Sequence, residues 1–240
     1  MHPFALEFTN FTVVAGGPAI ARLAGMYRAV RFTIALGLVA CGTSHVSPPP
    51  TDSGTVGSDG SSSAGLTIPW TASPAIPGPV ASDVSVTSMV FRVDSLRVVG
   101  DTGTSASHGG LELQWATGEA PPPTMFSDAP SGLYSKVVFH ADGELVDYSW
   151  EIDGTVAIDG ATQSFAIHDL AAMSVNIDSS AMLEPGGSVT LGVTFQMDQA
   201  FDGLDFKSLD DDDGLLVLDT DDSQMSDFRT KLQQAIVPTT

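Results

Sequence analysis

Seven aspartates near the C-terminus form the densest group of metal-binding side chains in the sequence. They occupy positions 210–213, 219, 221 and 222, and calcium prefers six to eight hard oxygen ligands. Against the EF-hand loop pattern, Asp211, Asp213 and Gly214 match positions three, five and six, but Leu209 and Thr220 stand where the first and last ligands are required. The sequence therefore favours a solvated acidic loop. The alternative is a looser calcium site made by Asp211, Asp213, Asp219 and Asp221.

Histidines are the other side chains that could do chemistry, since nucleophilic catalysis needs a hydroxyl or thiol beside a base. The predicted folded region contains His108, His140 and His168, and the last two lie close in sequence to Asp142 and Asp169. No Gly-x-Ser-x-Gly, Ser-x-x-Lys or His-Glu-x-x-His sequence accompanies them. We therefore predict no catalytic residue, no zinc site and no enzymatic activity. An enzyme of unrecognised type would need His140 or His168 in a deep pocket.

Cys41 is the only cysteine of the chain, and it follows an uncharged apolar run from Phe32 to Val39. An unpaired thiol is unusual in an exported protein unless it is modified. The four residues Leu38-Val39-Ala40-Cys41 match the lipobox at every position, so the chain resembles bacterial lipoproteins. The resemblance implies that diacylglycerol is attached to the Cys41 thiol, that the preceding peptide is cleaved and that the new N-terminus is acylated. Several acyl chains anchor a protein stably where one would be marginal.

The segments around Cys41 predict how the chain is organised. Residues 26–40 have the charged start, apolar centre and small-residue end of a signal peptide, and the apolar part is too short to span a bilayer. The stretch ahead of it is long for such a peptide, so we expect translation to start at Met26 and residues 1–25 to be a misassigned extension. Residues 41–65 are rich in Ser, Pro and Gly and predict a flexible linker with a reach of about 25 to 30 Å. The folded domain is expected over residues 66–240. Gly42 after the cysteine implies, by the same resemblance, the outer membrane.

The chain is strongly acidic, with a formal net charge of −20 from nine basic and 29 acidic residues. The segment before Cys41 holds three of the bases and one of the acids, so the part from Cys41 onward carries −22. Such a surface repels nucleic acid and anionic headgroups and attracts divalent cations or basic partners. Hydrophobic residues make up 42% of the chain, which is enough for a packed core.

Beyond Leu66, short alternating segments separated by turn residues at roughly ten-residue spacing predict an all-β fold, an antiparallel β-sandwich. Apolar residues alternate with polar ones over 111–115, 146–153 and 189–198. Val84 and Val86 share one parity while Met89 and Phe91 share the other, which predicts a bulge or bend between the pairs. Tight turns are expected at four Asp-Gly pairs, beginning at positions 142, 153, 159 and 213, and at Pro185-Gly186-Gly187.

A short C-terminal α-helix is predicted after Ser223, which can cap it. Met225, Phe228, Leu232 and Ile236 would fall on one face of this helix. We expect that face to pack against the sandwich.

Three sequence stretches resemble uncharacterised bacterial lipoproteins with a transthyretin-like or carboxypeptidase-regulatory-like β-sandwich. They are Asp94–Asp101, Ala129–Phe139, in which Pro130, Gly132 and Tyr134 form a Pro-x-Gly-x-Tyr turn, and Pro185–Asp198. The resemblance extends over about residues 67 to 236 and implies a fold but no catalytic residues.

Three functions are compatible with these features. The favoured one is a membrane-anchored, non-enzymatic envelope module that binds a protein or polysaccharide and needs no cofactor. The alternatives are a calcium- or other metal-binding envelope protein that uses the loop Asp210–Asp222, and an enzyme of unrecognised type. Exposed aromatic rings, for which Trp70 and Trp115 are candidates, would indicate carbohydrate stacking, although the alternation around Trp115 favours a core position.

Overall fold

The computed structural model describes residues 64–101, 105–143 and 147–239. Within these ranges the chain forms fifteen β-strands and two α-helices. The strands are β1 (Gly65–Ile68), β2 (Trp70–Ser73), β3 (Gly78–Pro79), β4 (Val84–Gly100), β5 (Ser105–Trp115), β6 (Thr124–Phe126), β7 (Gly132–Ala141), β8 (Trp150–Ile158), β9 (Ala161–Asp169), β10 (Met173–Leu183), β11 (Ser188–Thr190), β12 (Val193–Gln196), β13 (Asp210–Asp212), β14 (Leu215–Leu218) and β15 (Ile236–Pro238). The helices are α1 (Met197–Ala200) and α2 (Met225–Gln234).

The large sheet is organised around β4. One edge of β4 pairs with β5, while the other edge pairs with β8 over Val84–Phe91 and with β7 over Val93–Gly100. Because β7 and β8 share one edge, the sheet divides there into two wings. One wing continues from β7 to β10, and the other continues from β8 through β9 and β14 to β13. The register of β4 against β8 shifts between Val86 and Ser88, so the strand is irregular where a bulge or bend was predicted.

The second layer is built on a ribbon formed by the first described residues. Strands β1 and β2 run parallel to β11 and β12, and hydrogen bonds from Leu191 N to Thr67 O (2.9 Å) and from Val193 N to Pro69 O (3.0 Å) continue the ladder across the break. Strands β6 and β15 extend this layer by antiparallel pairing. The predicted all-β sandwich is confirmed. Its pairs are mostly antiparallel, and the parallel pairs β1–β11, β2–β12 and β9–β14 are additions that turn spacing alone could not reveal.

Aromatic rings join the two layers. Phe195 of the second layer lies 5.0 Å from Phe91 and 4.9 Å from Trp115 between ring centroids, and Trp70 meets Phe139 edge-on at 6.1 Å. All these rings are buried, so each removes a large apolar surface from water and adds a favourable ring geometry. Trp115 is therefore a core residue, as the alternation predicted, and Trp70 is buried as well.

The C-terminal helix α2 contacts both wings, Trp150 of β8 in one and strand β10 in the other. The ring of Phe228 in α2 lies tilted against Trp150 at 5.8 Å and meets Phe201 edge-on at 5.4 Å, which confirms that the helix packs on the sandwich. Two details of the prediction were wrong. Gln224 rather than Ser223 occupies the N-cap position, without a side-chain cap, and Ile236 lies in β15 because pairing with β12 replaces the last helical turn.

The predicted turns are only partly correct. Asp159-Gly160 and Asp213-Gly214 have positive φ at both residues (52° and 82°, 53° and 89°) and join β8 to β9 and β13 to β14. Gly186 (φ 71°) turns the chain between β10 and β11. Asp142 and Gly143 lie in the connection between β7 and β8.

Asp153-Gly154 was wrongly predicted as a turn. Both residues lie inside β8, where the backbone of β4 and the ring of Phe165 approach Gly154 too closely for a Cβ atom.

The Pro-x-Gly-x-Tyr stretch leads into β7 as predicted. The Tyr134 hydroxyl donates to the main-chain oxygen of Pro130 at 2.6 Å. Burial raises the pKa of Tyr134 above its ordinary 10.0, and Asp128 raises it further. The phenol therefore stays protonated and keeps the bond over the physiological range.

The run Val189–Met197 was predicted as one alternating strand. Alternate residues along it are buried, from Leu191 to Met197, but the strand is interrupted between β11 and β12 and ends where α1 begins at Met197.

Candidate functional site

Strand directions give the sandwich two distinguishable ends. Because β1 and β2 run parallel to β11 and β12, Gly65 lies beside Ser188 at one end and Ser73 lies beside Gln196 at the other. We call these the linker end and the distal end, since the predicted linker joins the domain at Gly65. The nine residues from Gly65 to Ser73 span roughly 25 to 30 Å at the rise of an extended strand.

A groove opens at the distal end, where β12 ends and α1 begins. One part has a volume of about 510 Å³ and is lined by Asp198, Gln199, Asp202, Lys231 and Gln234. An adjoining part of about 390 Å³ shares Asp198 and Asp202. Its apolar lining comes from Val80, Val84, Phe201, Leu204 and Phe206. We call the combined surface the distal groove.

The aromatic floor of the distal groove is held by packing beneath it. Phe201 and Phe206 lie parallel at 6.2 Å, and both rings contact Phe165 of β9, at 5.8 and 5.1 Å. Phe201 and Phe206 are 5% and 7% exposed, so only a margin of each ring faces the groove. The floor is therefore a fixed apolar surface rather than a set of mobile side chains.

The rim of the distal groove is acidic. Asp83, Asp198 and Asp202 are exposed there, and Asp227 stands beside a smaller depression of about 70 Å³ that shares Asp202. Within the described ranges, none of these four carboxylates forms an ion pair with a lysine, arginine or histidine.

Lys231 is the one base that lines the distal groove in the described part of the chain. Its ammonium group donates to the main-chain oxygen of Asp202, not to a carboxylate. The rim carboxylates therefore keep their capacity to accept hydrogen bonds from a partner.

Further acidic groups surround the distal end. The β8–β9 turn places Asp159 there, and Lys207 Nζ donates to its carboxylate at 2.7 Å. This hydrogen bond, with the attraction of the same carboxylate, raises the pKa of Lys207 above its ordinary 10.5. At the distal end, an exposed carboxylate thus already binds a lysine ammonium group of the same chain.

The four predicted calcium ligands lie on two separate turns. Asp211 Oδ1 accepts from Gly214 N at 2.7 Å and Asp213 occupies the β13–β14 turn, while Asp219 Oδ1 accepts from Asp221 N at 3.0 Å in the loop before α2. Within the described residues no group of three or more acidic, histidine or cysteine side chains is arranged to hold a metal ion. Calcium binding by Asp211, Asp213, Asp219 and Asp221 stays a prediction.

The histidines lie away from the distal groove. His140 on β7 pairs across the strands with Ser174, at 2.9 Å from Nδ1 to Oγ, and its Nε2 lies 4.0 Å from Asp142. The ring of His168 lies 4.0 Å from that of Tyr148. Neither histidine lines any of the five surface depressions described for residues 64–101, 105–143 and 147–239.

One polar cluster was missed from the sequence. The fully buried Asp169 at the end of β9 accepts from Arg229 Nε (2.5 Å), Thr220 Oγ1 (3.1 Å) and Ala171 N (3.0 Å). Its main-chain oxygen accepts from Ser149 N at 2.7 Å. The cluster closes the space where the two wings separate, and no spacing rule links residues 60 positions apart.

The distal groove was missed for a similar reason. Asp198 was assigned to the polar row of a strand, but it lies in α1. The local signal in the sequence was Phe-Asp-Gly-Leu at 201–204, in which Asp-Gly indicates a turn.

Cys41 and the predicted signal peptide lie outside the described residues. Among the described residues, no helix is both long and apolar enough to cross a membrane. No protein-family model, curated protein or solved structure matches the chain. The transthyretin-like resemblance therefore stays a prediction.

Proposed function

We propose that the chain is a non-enzymatic, lipid-anchored module of the bacterial cell envelope that binds a partner protein at its distal end. The placement of the distal groove supports this proposal. The predicted linker from Cys41 joins the domain at Gly65, and the distal groove opens at the opposite end of the same ribbon. An anchor at one end leaves the other end accessible to a partner.

Two physical features agree with a binding role. The groove rim offers hydrogen-bond acceptors on a rigid frame, and loops carried by a rigid scaffold are common sites of recognition. The acidic surface disfavours nucleic acid and anionic lipid as partners.

Position-specific photocrosslinking in cells tests the proposal. A photoreactive residue at Gln199, exposed in the distal groove, should crosslink a defined protein. The matched position is Ser131, which is exposed beside Gly65 and Gly186 at the linker end and should not crosslink it. Equal labelling from both positions, or none from Gln199, would contradict the proposal.

A further inference from the structure

The distal groove combines an apolar surface and a charged one. Its floor is apolar and rigid, formed by Phe201, Phe206 and Leu204, whereas its rim carries the exposed carboxylates of Asp83, Asp198 and Asp202. A purely apolar partner would desolvate the carboxylates without compensation, which is costly. A small cation without an apolar part would leave the apolar floor of the groove exposed to water.

Lysine and arginine side chains match both surfaces. Their methylene stems cover apolar surface while the charged heads remain at the rim. An ammonium or guanidinium beside a carboxylate forms a charge-assisted hydrogen bond, which is stronger than a neutral one. Arginine also stacks on aromatic rings.

Lys231 shows that a cationic stem already fits this end of the domain. Its ammonium group lies over the Asp202–Leu204 turn, where a Cβ atom on Gly203 would be 3.1 Å from Nζ. The turn therefore binds an ammonium group through the main-chain oxygen of Asp202. In the described part of the chain, the carboxylates of Asp198 and Asp202 form no ion pair with a basic side chain.

We propose that the distal groove binds a lysine- or arginine-bearing segment of the partner protein. This inference rests on the proposed function and adds the chemistry of the partner. The occupant follows from charge complementarity. The domain from Gly65 onward is acidic, so an anionic lipid surface is the less suitable occupant.

Binding of a defined cationic probe tests the inference. The probe is a short dye-labelled peptide of alternating lysine and alanine, titrated by fluorescence anisotropy into the full chain purified in detergent. The double variant Asp198→Asn with Asp202→Asn should bind the probe about tenfold more weakly, because two charge-assisted bonds are lost. Both residues are exposed, so the variant should unfold at the same temperature as the original chain.

The matched control is Asp210→Asn with Asp212→Asn, which makes the same charge change on the exposed strand β13 outside the groove. Its affinity should change by less than about twofold, since screening weakens distant exposed charges. Equal losses in the two variants would mean that the probe senses only net charge, and the inference would be wrong. Absence of binding to the original chain, with crosslinking from Gln199 retained, would overturn the inference and leave the proposed function intact.

Discussion

At the scale of single residues, the buried pair of Asp169 and Arg229 is the most consequential contact. The Asp169 side chain has no exposure, and its two oxygens receive one charged and two neutral donors. A buried carboxylate is tolerated only when its charge is compensated and its lone pairs are bonded. The pair therefore fixes α2 to the end of β9.

Removing the arginine should destabilise the domain strongly. Arg229→Ala leaves the Asp169 carboxylate buried without its guanidinium partner, so we expect the free energy of unfolding to fall by about 3 kcal/mol. Urea denaturation followed by tryptophan fluorescence measures the change. Arg97→Ala, on an exposed position of β4, is the control and should change it by less than about 0.5 kcal/mol. A similar small loss for Arg229→Ala would show that the pair contributes little.

At the scale of elements, β4 and β9 approach β8 closely, and this packing shapes the wing that runs from β8 through β9 and β14 to β13. A Cβ atom on Gly154 would lie 2.2 Å from the main-chain oxygen of Ser85 and 2.4 Å from Cζ of Phe165. Glycine at 154 is thus required by packing inside a strand, whereas Gly160 is required by its positive φ in a turn. The sequence Asp-Gly is the same in both places, and only tertiary contacts distinguish them.

Adding one methyl group at this position should therefore disrupt the wing. Gly154→Ala is expected to lower the free energy of unfolding by about 3 kcal/mol, because the nearest atom is a main-chain oxygen, that of Ser85, in the paired strands β4 and β8. Gly110→Ala on β5, where the nearest atom would be 3.8 Å away, should be nearly neutral. Thermal denaturation of both variants compares them. If they lose the same stability, overpacking is not the cause.

At the scale of the whole molecule, the proposed arrangement is a lipid anchor at Cys41, a linker and a domain that presents its distal end. In this proposal anchoring depends on the Cys41 thiol, because the lipobox resemblance implies acyl chains on the thiol and on the new N-terminus.

Replacing the cysteine tests that anchoring. Cys41→Ala should abolish incorporation of labelled fatty acid and move the protein from the membrane fraction to the soluble one. Ala40→Gly keeps the Leu-Val-Gly-Cys pattern that the lipobox allows and should remain acylated and membrane-bound. Membrane association of Cys41→Ala with no loss of label would refute the anchor.

Local patterns in the sequence determined the fold class and several of its parts. Alternation over 111–115, the parity change between Val86 and Met89 and the helix after Gln224 are consequences of side-chain periodicity, which the chain expresses without reference to distant residues. The lipobox at Cys41 is local in the same sense, and so are the two Asp-Gly turns with positive φ.

Only the tertiary structure decided which distant residues meet. It set β1 and β2 parallel to β11 and β12, buried Asp169 against Arg229 and joined Asp83, Asp198 and Asp202 around one groove. These contacts connect segments separated by 60 or more residues. Arg229 can reach Asp169 only after helix α2 has packed against the sheet. Pairing at that separation depends on packing and loop closure, not on local propensity, so no pattern along the chain encodes it.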